Sequence, residues 1–346
     1  MNVRATWWRS VEGAVGRTPW SAPDALVRLA GGTKRPTRGS AADEGVRPTG
    51  SSSPLVGRAA RSGRACFFLL LAFSAAAQTV DIGVFGLFRP VELRVAPASE
   101  ALLVETGNTR LILEGRQSYI IRASLPVRVS SREGSAADFR LSIPGKIERH
   151  FHGILTVRTG DHKLIAAVAM DREVAVASVV AAEMPPSSPI EALKAQAVIA
   201  RSYYAAMPAR HDGFDFCDTT HCQFLREWPD PGSAPFRAAR ETRDLLLEYA
   251  GKPLAGLYSA SCGGRTRALD DADGYAYRSV DCDYCRRHSP GQVQGHQLGL
   301  CQAGASAMAA TGANFRAILD HYYPGTSLTR TFFLPASLSL RHSKDE

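Results

Sequence analysis

The pattern of apolar and polar positions changes character near residue 171 of this chain. Between residues 79 and 170, short segments alternate apolar with polar positions, and Gly, Pro, Asn and Ser interrupt them at short intervals. Alternation with a period of two, broken by turn-forming residues, predicts small antiparallel sheets. The predicted strands cover 80–85, 91–95, 111–114, 119–122, 127–129, 139–143 and 153–157. No charged cluster here indicates catalysis, so we interpret this part as a β-rich scaffold or accessory region.

From residue 171 onward the pattern predicts helices. Residues 173–184 are rich in Ala and Val, and their length and Ala content favour a buried helix over a strand. Pro185 follows and is expected to end this helix, because proline disfavours the helical conformation in the residue before it.

A second helix is predicted over residues 188–204. Ser188 is expected to be its N-cap, with Pro189 at the first helical position. Glu191 would complete a capping box with Ser188. Further elements are expected C-terminal to this helix, namely helices over 236–249, 302–311 and 314–323, the last capped by Asn314, and a strand over 254–259.

The N-terminal part of the chain does not look like a folded domain. Residues 1–62 are rich in Arg, Gly, Ser, Thr and Pro, a composition that buries too little apolar surface to offset chain entropy. Residues 63–78 combine a basic start, a short apolar run and small residues ending near Ala77, which is typical of a signal peptide. The apolar run is shorter than the roughly 20 residues that span a bilayer. We therefore predict export, and one explanation of the long leader is a start codon placed too early.

The net charge of the whole chain is +8, but it is distributed unevenly along the sequence. Through Gln78 there are 11 Lys and Arg against 4 Asp and Glu, which leaves 30 against 29 in the remainder. The basic excess thus lies almost entirely in the segment expected to be removed. No basic field is left to indicate nucleic-acid binding.

Two groups of cysteines stand out in the remainder of the chain. His211, Cys217, His221 and Cys222 offer two imidazoles and two thiols, which suit tetrahedral zinc, although a disulfide between the two cysteines is equally compatible with the residues alone. The second group, Cys262, Cys282, Cys285 and Cys301, is compatible with a four-thiolate zinc site or with two disulfides. A redox role for the CxxC is disfavoured, because no thioredoxin-like βαβ pattern surrounds it.

Glu183 is the candidate for acid–base chemistry. It precedes a proline-terminated helix end amid Ala and Val, where loss of water would raise the pKa of its carboxyl group. A glutamate with a raised pKa can protonate a leaving group near neutral pH. The residue pattern alone is also compatible with an ordinary structural glutamate.

Four motifs in order resemble the SpoIID/LytB family, that of stage II sporulation protein D, over residues 150–328. They are Val179-Val180-Ala181-Ala182-Glu183-Met184-Pro185 with the helix over 191–203; Cys217-Asp218-Thr219-Thr220-His221-Cys222-Gln223; the segment around Cys262-Gly263-Gly264-Arg265-Thr266; and residues 295–305 with His321-Tyr322-Tyr323-Pro324-Gly325. The resemblance implies an exported lytic transglycosylase that cleaves peptidoglycan glycan strands. The catalytic acid of the family falls on Glu183, which would protonate the glycosidic oxygen and then deprotonate the muramic 6-hydroxyl to give a 1,6-anhydro end.

The resemblance also implies further site residues. Zn²⁺ would be held, in a structural role, by His211, Cys217, His221 and Cys222. A zinc with four protein ligands has no open position for water, which argues against a metal-dependent peptidase. Substrate contacts are assigned to Lys194, Gln196, Arg201, Ser259, Ser261, His296 and Gln302.

The chain departs from the family pattern in two places. Cys262 and Cys301 stand where the family has other small residues, and they could pair as a disulfide if both loops flank one cleft. The segment from Pro290 to Gly295 is shorter than in relatives, so a cleft wall or strand pair is expected to be missing. This shortening favours the alternative function, a non-catalytic cell-wall-binding protein that enhances an N-acetylmuramoyl-L-alanine amidase.

Taken together, these observations predict an α+β fold, with a β-rich region packed on a mixed helix and strand catalytic domain. The expected divisions are a disordered or mis-assigned start, a signal peptide, an accessory region, a catalytic domain and a tail, over 1–62, 63–78, 79–150, 151–330 and 331–346. The expected location is the periplasm or the extracellular cell wall. The expected partners are glycan strands and a cell-wall amidase; membrane contact would be transient, through the signal peptide.

Overall fold

The computed structural model describes residues 78–122, 125–207, 209, 211–270 and 275–330. The predicted start over 1–62, all but the last residue of the predicted signal peptide and the predicted tail over 331–346 lie outside the described residues. Helices and strands both occur within the described part, which confirms the predicted α+β class.

Alternating positions in the first half of the described chain form nine strands. Each of the predicted strands is present, and two further strands follow the same physical pattern at residues 102–106 and 163–171. The strands are β1 Thr79–Val84, β2 Glu92–Pro97, β3 Leu102–Thr106, β4 Thr109–Leu113, β5 Tyr119–Arg122, β6 Val127–Ser131, β7 Ala137–Ile143, β8 Ile147–Gly160 and β9 Lys163–Asp171.

The second half carries six helices and eight short strands within the described residues. The helices are α1 Arg172–Glu183, α2 Ile190–Ala206, α3 Ala234–Glu241, α4 Asp283–His288, α5 Gln302–Ala310 and α6 Phe315–Tyr322. The strands are β10 Phe216–Cys217, β11 Leu245–Tyr249, β12 Lys252–Pro253, β13 Tyr258–Ser259, β14 Ser261–Cys262, β15 Val293–Gln294, β16 Leu300–Cys301 and β17 Ser327–Arg330.

The long strand β8 organises the large sheet. Its first half pairs antiparallel with β7, and its second half pairs antiparallel with β9 and β6. Strand β7 continues to β2 and β5, while the other side continues through the order β10-β1-β9-β8-β6-β3-β4. Apolar side chains from both sets, such as Leu93 and Leu155, belong to one hydrophobic core.

Gly153 lies where β8 passes from one set of partners to the other. It pairs with Ala137 of β7, and the next residue pairs with Ala169 of β9. A Cβ atom at this position would come within 2.5 Å of the Ala169 carbonyl oxygen. Only glycine allows the two strands to approach this closely. The boundary at residue 150 also falls inside β8, and the division into two domains stays a prediction.

Helix α1 forms as the sequence predicts. Asp171 caps its start, since the carboxylate accepts a 2.8 Å hydrogen bond from the Glu173 N–H group. Met184 before Pro185 is extended, with φ −128° and ψ 144°, so Glu183 is the last helical residue. Much of the helix surface is buried, as its Ala and Val content predicts.

Helix α2 forms with a different start from the one predicted. Its N-cap is Pro189 rather than Ser188, and no side chain caps the first turn. The Ser188 N–H group instead bonds Pro185 O at 2.9 Å, which closes a turn after the proline. The Glu191 carboxylate bonds Lys194 at 2.7 Å and the Phe315 N–H group at 2.8 Å, so it serves tertiary packing rather than a capping box.

Two further element predictions are wrong. The helix predicted over 236–249 ends at Glu241, and β11 occupies its second half, where Leu245–Leu247 pair with β17. This run of leucines is buried by pairing across the chain, which periodicity alone does not reveal. The strand predicted over 254–259 is reduced to β13, which pairs parallel with β16.

No helix among the described residues is long and apolar enough to cross a membrane.

The helical half contains a largely buried ion pair. The Arg201 guanidinium on α2 is 0% exposed and bonds both oxygens of Glu173 on α1, with Nε to Oε1 at 2.7 Å and Nη2 to Oε2 at 2.5 Å. It also donates to the carbonyl oxygens of Ala239 and Leu245 at 3.0 and 3.2 Å. Arg201 therefore joins α1 to α2, to α3 and to the start of β11.

Replacing Arg201 with Met should lower the free energy of unfolding by about 3–5 kcal/mol, because Glu173 would keep its largely buried charge with only the 3.9 Å contact to Arg172. Urea-unfolding midpoints with the wild-type slope measure this loss. The matched control is Arg110→Met, which removes an ion pair to Glu105 from an arginine that is 77% exposed, with an expected change of about 0–1 kcal/mol. Equal losses in the two variants would contradict the structural role of Arg201.

Candidate active site

Glu183 lies at the end of α1 with its carboxyl group turned toward three hydrogen-bond donors. Its Oε1 atom accepts from the Phe224 N–H group at 3.2 Å and from the Tyr258 hydroxyl at 3.3 Å. The Gln302 side chain, at the start of α5, is a third hydrogen-bond partner. The glutamate is half-buried as a residue. Three segments far apart in sequence thus meet on one carboxyl group.

The surroundings of Glu183 change its acidity. Burial raises the pKa of the carboxyl group from 4.5 to about 7, and the hydrogen bonds from Phe224, Tyr258 and Gln302 offset part of that rise. The charged form loses more hydration than the three donors restore. A carboxyl group with a pKa near 7 can donate and accept a proton near neutral pH, as a general acid and base must.

Polar side chains extend this site beyond Glu183. Gln302 Nε2 donates to Gln196 Oε1 on α2 at 3.4 Å. Gln196 Nε2 and Ser259 Oγ are buried and have no hydrogen-bond partner among the described residues. Buried polar atoms are rarely left unpaired in folded proteins. Both atoms are inaccessible to solvent, so their contact with a substrate stays a prediction.

Three residues of the site were missed by the sequence analysis. Tyr258 bonds both Glu183 and the Gln223 Oε1 atom, the latter at 3.4 Å. Gln223 is held in turn by a bond from its Nε2 to Ala200 O at 3.1 Å. Phe224 contributes only its backbone N–H group. Each of the three residues directly follows or precedes a motif or a predicted site residue. This position in the sequence was the one indication that they could belong to the site.

Other predicted substrate residues have different partners. The Lys194 ammonium lies between the carboxylates of Glu191 and Glu241, at 2.7 and 2.8 Å. Arg201 bonds Glu173, near the opposite end of α1 from Glu183. Both cations therefore support the packing of the helices, and their substrate contacts stay predictions.

The two remaining predicted substrate residues, Ser261 and His296, also bond to their own surroundings. Ser261 Oγ donates to Gln292 O at 3.1 Å and lies 3.4 Å from Cys285 Sγ. His296 Nδ1 accepts from the Leu298 N–H group at 3.0 Å. Burial, with a smaller effect of Arg267, lowers the pKa of His296 to about 4, so the ring is neutral near pH 7.

The shortened segment before His296 retains a strand pair. Residues Val293 and Gln294 form β15 and pair antiparallel with Cys262 and Ser261 of β14. A strand pair is therefore present at this point, and the expectation that a cleft wall or strand pair is missing relative to the family's members stays a prediction. Four residues between Pro290 and Gly295 suffice, because two of them lie in the strand itself.

The predicted ligand residues His211, Cys217, His221 and Cys222 come together, and we call them the His/Cys knot. Their ligand atoms all lie within 4.8 Å of one another. His211 Nε2 lies 3.2 Å from Cys222 Sγ, and His221 Nδ1 lies 3.7 and 3.6 Å from the two sulfurs. A tetrahedral zinc with N and S ligands separates them by roughly 3.6 Å. The knot has the donor set and the spacing for such an ion.

The His/Cys knot is fixed to the large sheet and is continuous with the Glu183 site. Cys217 pairs with Gly83 where β10 runs parallel to β1. Asp218 accepts from the Arg149 guanidinium at 2.8 Å and from the Phe85 N–H group at 3.1 Å. The chain then passes through Cys222 directly to Gln223 and Phe224. The knot thus determines where the Phe224 N–H group lies.

Comparisons with known proteins cover this part of the chain. Residues 160–249 match the family model described as SpoIID, stage II sporulation protein. An uncharacterized protein of Brachyspira hyodysenteriae is 33% identical over 129 residues, which are 36% of this chain and 35% of that protein. The chain thus spans about a third of the length of this curated relative. The family match includes Glu183 and the His/Cys knot, whereas Tyr258 and Gln302 follow it in sequence.

The raised pKa of Glu183 makes stability depend on pH. Between pH 4.5 and about 7 the folded protein retains a proton that the unfolded chain has released. Stability therefore falls as the pH rises through this window. Glu183→Gln removes this pH dependence. As the pH rises through the window, the unfolding free energy of the variant should therefore increase relative to that of the wild type by at most about 3 kcal/mol. The gain should be smaller to the extent that solvent screens this half-buried side chain.

Urea unfolding of both proteins at intervals from pH 4.5 to 8 measures this difference. Glu100→Gln, which removes an exposed carboxyl group, controls for the loss of one acidic residue. A difference between Glu183→Gln and wild type that stays constant across the window would contradict the raised pKa.

Proposed function

We propose that this chain, whose residues 160–249 match the SpoIID family model, cleaves peptidoglycan glycan strands as a lytic transglycosylase. The observation that carries the proposal is one carboxyl group, that of Glu183, whose pKa burial raises to about 7. Hydrolysis with two carboxylates needs a second acidic group beside the first, whereas a transglycosylase can use one residue in both roles.

In the proposed reaction, Glu183 begins protonated and donates its proton to the glycosidic oxygen between N-acetylmuramic acid and N-acetylglucosamine. The bond from that oxygen to the anomeric carbon breaks. The carboxylate then takes the proton of the muramic 6-hydroxyl, whose oxygen closes onto the anomeric carbon. The product is a 1,6-anhydro end, and Glu183 is again protonated without the addition of water.

The neighbours of Glu183 support each half of this cycle. The Phe224 N–H group, the Tyr258 hydroxyl and the Gln302 amide stabilise the carboxylate that forms when the proton leaves. Their hydrogen bonds also fix the orientation of the carboxyl group. The Gln196 amide and the Ser259 hydroxyl, which have no hydrogen-bond partner among the described residues, are the proposed contacts for hydroxyl and acetamido groups of a sugar.

The proposed cofactor is one structural Zn²⁺ in the His/Cys knot, held by His211, Cys217, His221 and Cys222. The spacing of their ligand atoms supports this assignment. When bound, the ion would cross-link the segment that leads to Gln223 and Phe224. With four protein ligands it would leave no position for a reacting water.

The proposed location is outside the cytoplasmic membrane, where glycan strands lie. It rests on the basic, apolar and small-residue pattern over 63–78, of which only Gln78 is among the described residues. Glycan strands are the proposed partner.

A second candidate function is enhancement of a cell-wall amidase without glycan cleavage. The short segment between Pro290 and Gly295 favours it, because the strand it contributes has only two residues. This function would use the same polar surface for binding and would not need the proton of Glu183.

Glu183→Gln should lower the formation of anhydro ends by about 10²–10⁴-fold, because the amide cannot transfer the proton. Mass spectrometry of products from purified denuded glycan strands measures this loss. Glu148→Gln, an exposed substitution on β8, should act like the wild type. Undiminished anhydro products from Glu183→Gln would refute the mechanism. Stimulation of an added amidase by both wild type and Glu183→Gln, without new glycan ends, would establish the second function instead.

Tyr258→Phe should move the alkaline limb of the activity profile to higher pH. In the wild type this limb should lie near pH 7, since Glu183 must start protonated. The Tyr258 hydroxyl favours the carboxylate, so its loss should raise the Glu183 pKa by roughly half to one unit. The profile of kcat/KM against pH measures the shift. Tyr249→Phe, at an exposed tyrosine of β11, should leave the limb in place; a downward shift in Tyr258→Phe would contradict the argument.

A further inference from the structure

A second group of sulfur atoms lies outside the His/Cys knot. Cys262, Cys282, Cys285 and Cys301 are all buried and free, and their Sγ atoms lie within 4.8 Å of one another. We call this group the tetracysteine cluster. Apolar packing alone does not require four buried thiols to point at a common centre, so their convergence needs another explanation.

The cluster is assembled from three separate segments. Cys262 ends β14, Cys282 and Cys285 form a CxxC turn at the start of α4, and Cys301 ends β16 at the start of α5. Such an arrangement, with two ligands from one turn and the others from strand ends, is common to structural metal sites. The segments do not meet unless the chain is already folded around the centre.

The spacing of the sulfurs matches a single tetrahedral ion. With metal–sulfur bonds of about 2.3 Å, a tetrahedron separates its sulfurs by about 3.8 Å. Cys285 Sγ and Cys301 Sγ are 3.5 Å apart, and every pair in the cluster lies within 4.8 Å. Tetrahedral sites with four sulfur ligands select zinc or iron.

Hydrogen-bond donors surround the sulfurs, as expected around metal-bound thiolates. The Gly304 N–H group donates to Cys301 Sγ at 3.4 Å, and the Tyr322 hydroxyl donates to Cys282 Sγ at 3.7 Å. A Cβ atom at Gly304 would lie 2.5 Å from Cys282 Sγ and closer still to the Tyr322 hydroxyl. The start of α5 therefore packs directly on the cluster.

We propose that Cys262, Cys282, Cys285 and Cys301 bind one structural Zn²⁺, in addition to any ion held by the His/Cys knot. The four thiols release their protons as the ion binds, which gives a zinc tetrathiolate. The site is closed and has no catalytic position. Its occupancy does not depend on the reaction proposed for Glu183.

The position of this ion gives it a specific structural task. Cys301 directly precedes Gln302, and β16 pairs with Tyr258 and Ser259 of β13. Cys262 lies at the end of the next strand, β14. The ion would tie these segments together and so hold Tyr258 and Gln302 against Glu183.

The experiment measures metal content in the full chain, purified with a phosphine reductant and zinc. Elemental analysis and native mass spectrometry are applied to the wild type, to Cys217→Ser with Cys222→Ser, and to Cys262→Ser with Cys301→Ser. Two zinc ions per wild-type chain are expected if the knot is also loaded, and one in each double variant. One zinc in the wild type that persists in the Cys262 and Cys301 variant would overturn the proposal. So would wild-type cysteines found as two disulfides in this cluster.

If the Cys262 and Cys301 variant does not fold, cobalt substitution tests whether the tetracysteine cluster binds a metal ion. Co²⁺ bound to the Cys217 and Cys222 variant can reach only the tetracysteine cluster as a complete ligand set. That variant should show the intense sulfur-to-cobalt charge-transfer absorption of four thiolates at one Co²⁺ per chain. Absence of this absorption in the folded variant would overturn the proposal. Glycan cleavage is not the readout, so loss of the proposed enzymatic function leaves this result unaffected.

Discussion

The burial of one carboxyl group against donors from three distant segments is the constraint on which this structure depends. Glu183 receives its hydrogen bonds from residues 224, 258 and 302. Removing a carboxylate from water is unfavourable unless donors replace the lost hydration. These three donors replace it only in part, and the remaining imbalance is what makes Glu183 a usable acid near neutral pH.

The position of each donor is determined by elements away from Glu183. Phe224 follows the His/Cys knot, which is anchored to β1 by strand pairing and to β8 by the Asp218–Arg149 ion pair. Tyr258 lies in β13, which pairs with β16, and Gln302 follows Cys301, the residue of the tetracysteine cluster that ends β16. Phe224 thus follows Cys222 closely in the chain, and Gln302 directly follows Cys301, so a sulfur cluster lies next to each of these donor segments. Short strands of two residues could not hold these segments by backbone pairing alone.

The sequence predicted the helices around the site better than the site itself. Helix α1 and its end at Glu183 followed from Ala and Val content and from Pro185, which are local properties. The assignment of Leu245–Leu247 to a helix was wrong because these residues are buried by pairing with β17, more than 80 residues later in the sequence. The contacts of Tyr258 and the ion pair of Arg201 likewise depend on the packing of distant segments, for which local patterns carry no signal.

The place where α1 ends also has an electrostatic consequence. The peptide dipoles of a helix add up to a partial negative charge at its C-terminus, which disfavours an anion there by typically 0.3–1 kcal/mol. Glu183 is the last residue of α1, so this field opposes ionisation of the same carboxyl group that burial already holds protonated. Pro185 therefore affects the acidity of Glu183 as well as the length of α1. By ending α1 at this residue, it places a proton donor where the peptide backbone itself helps to retain the proton.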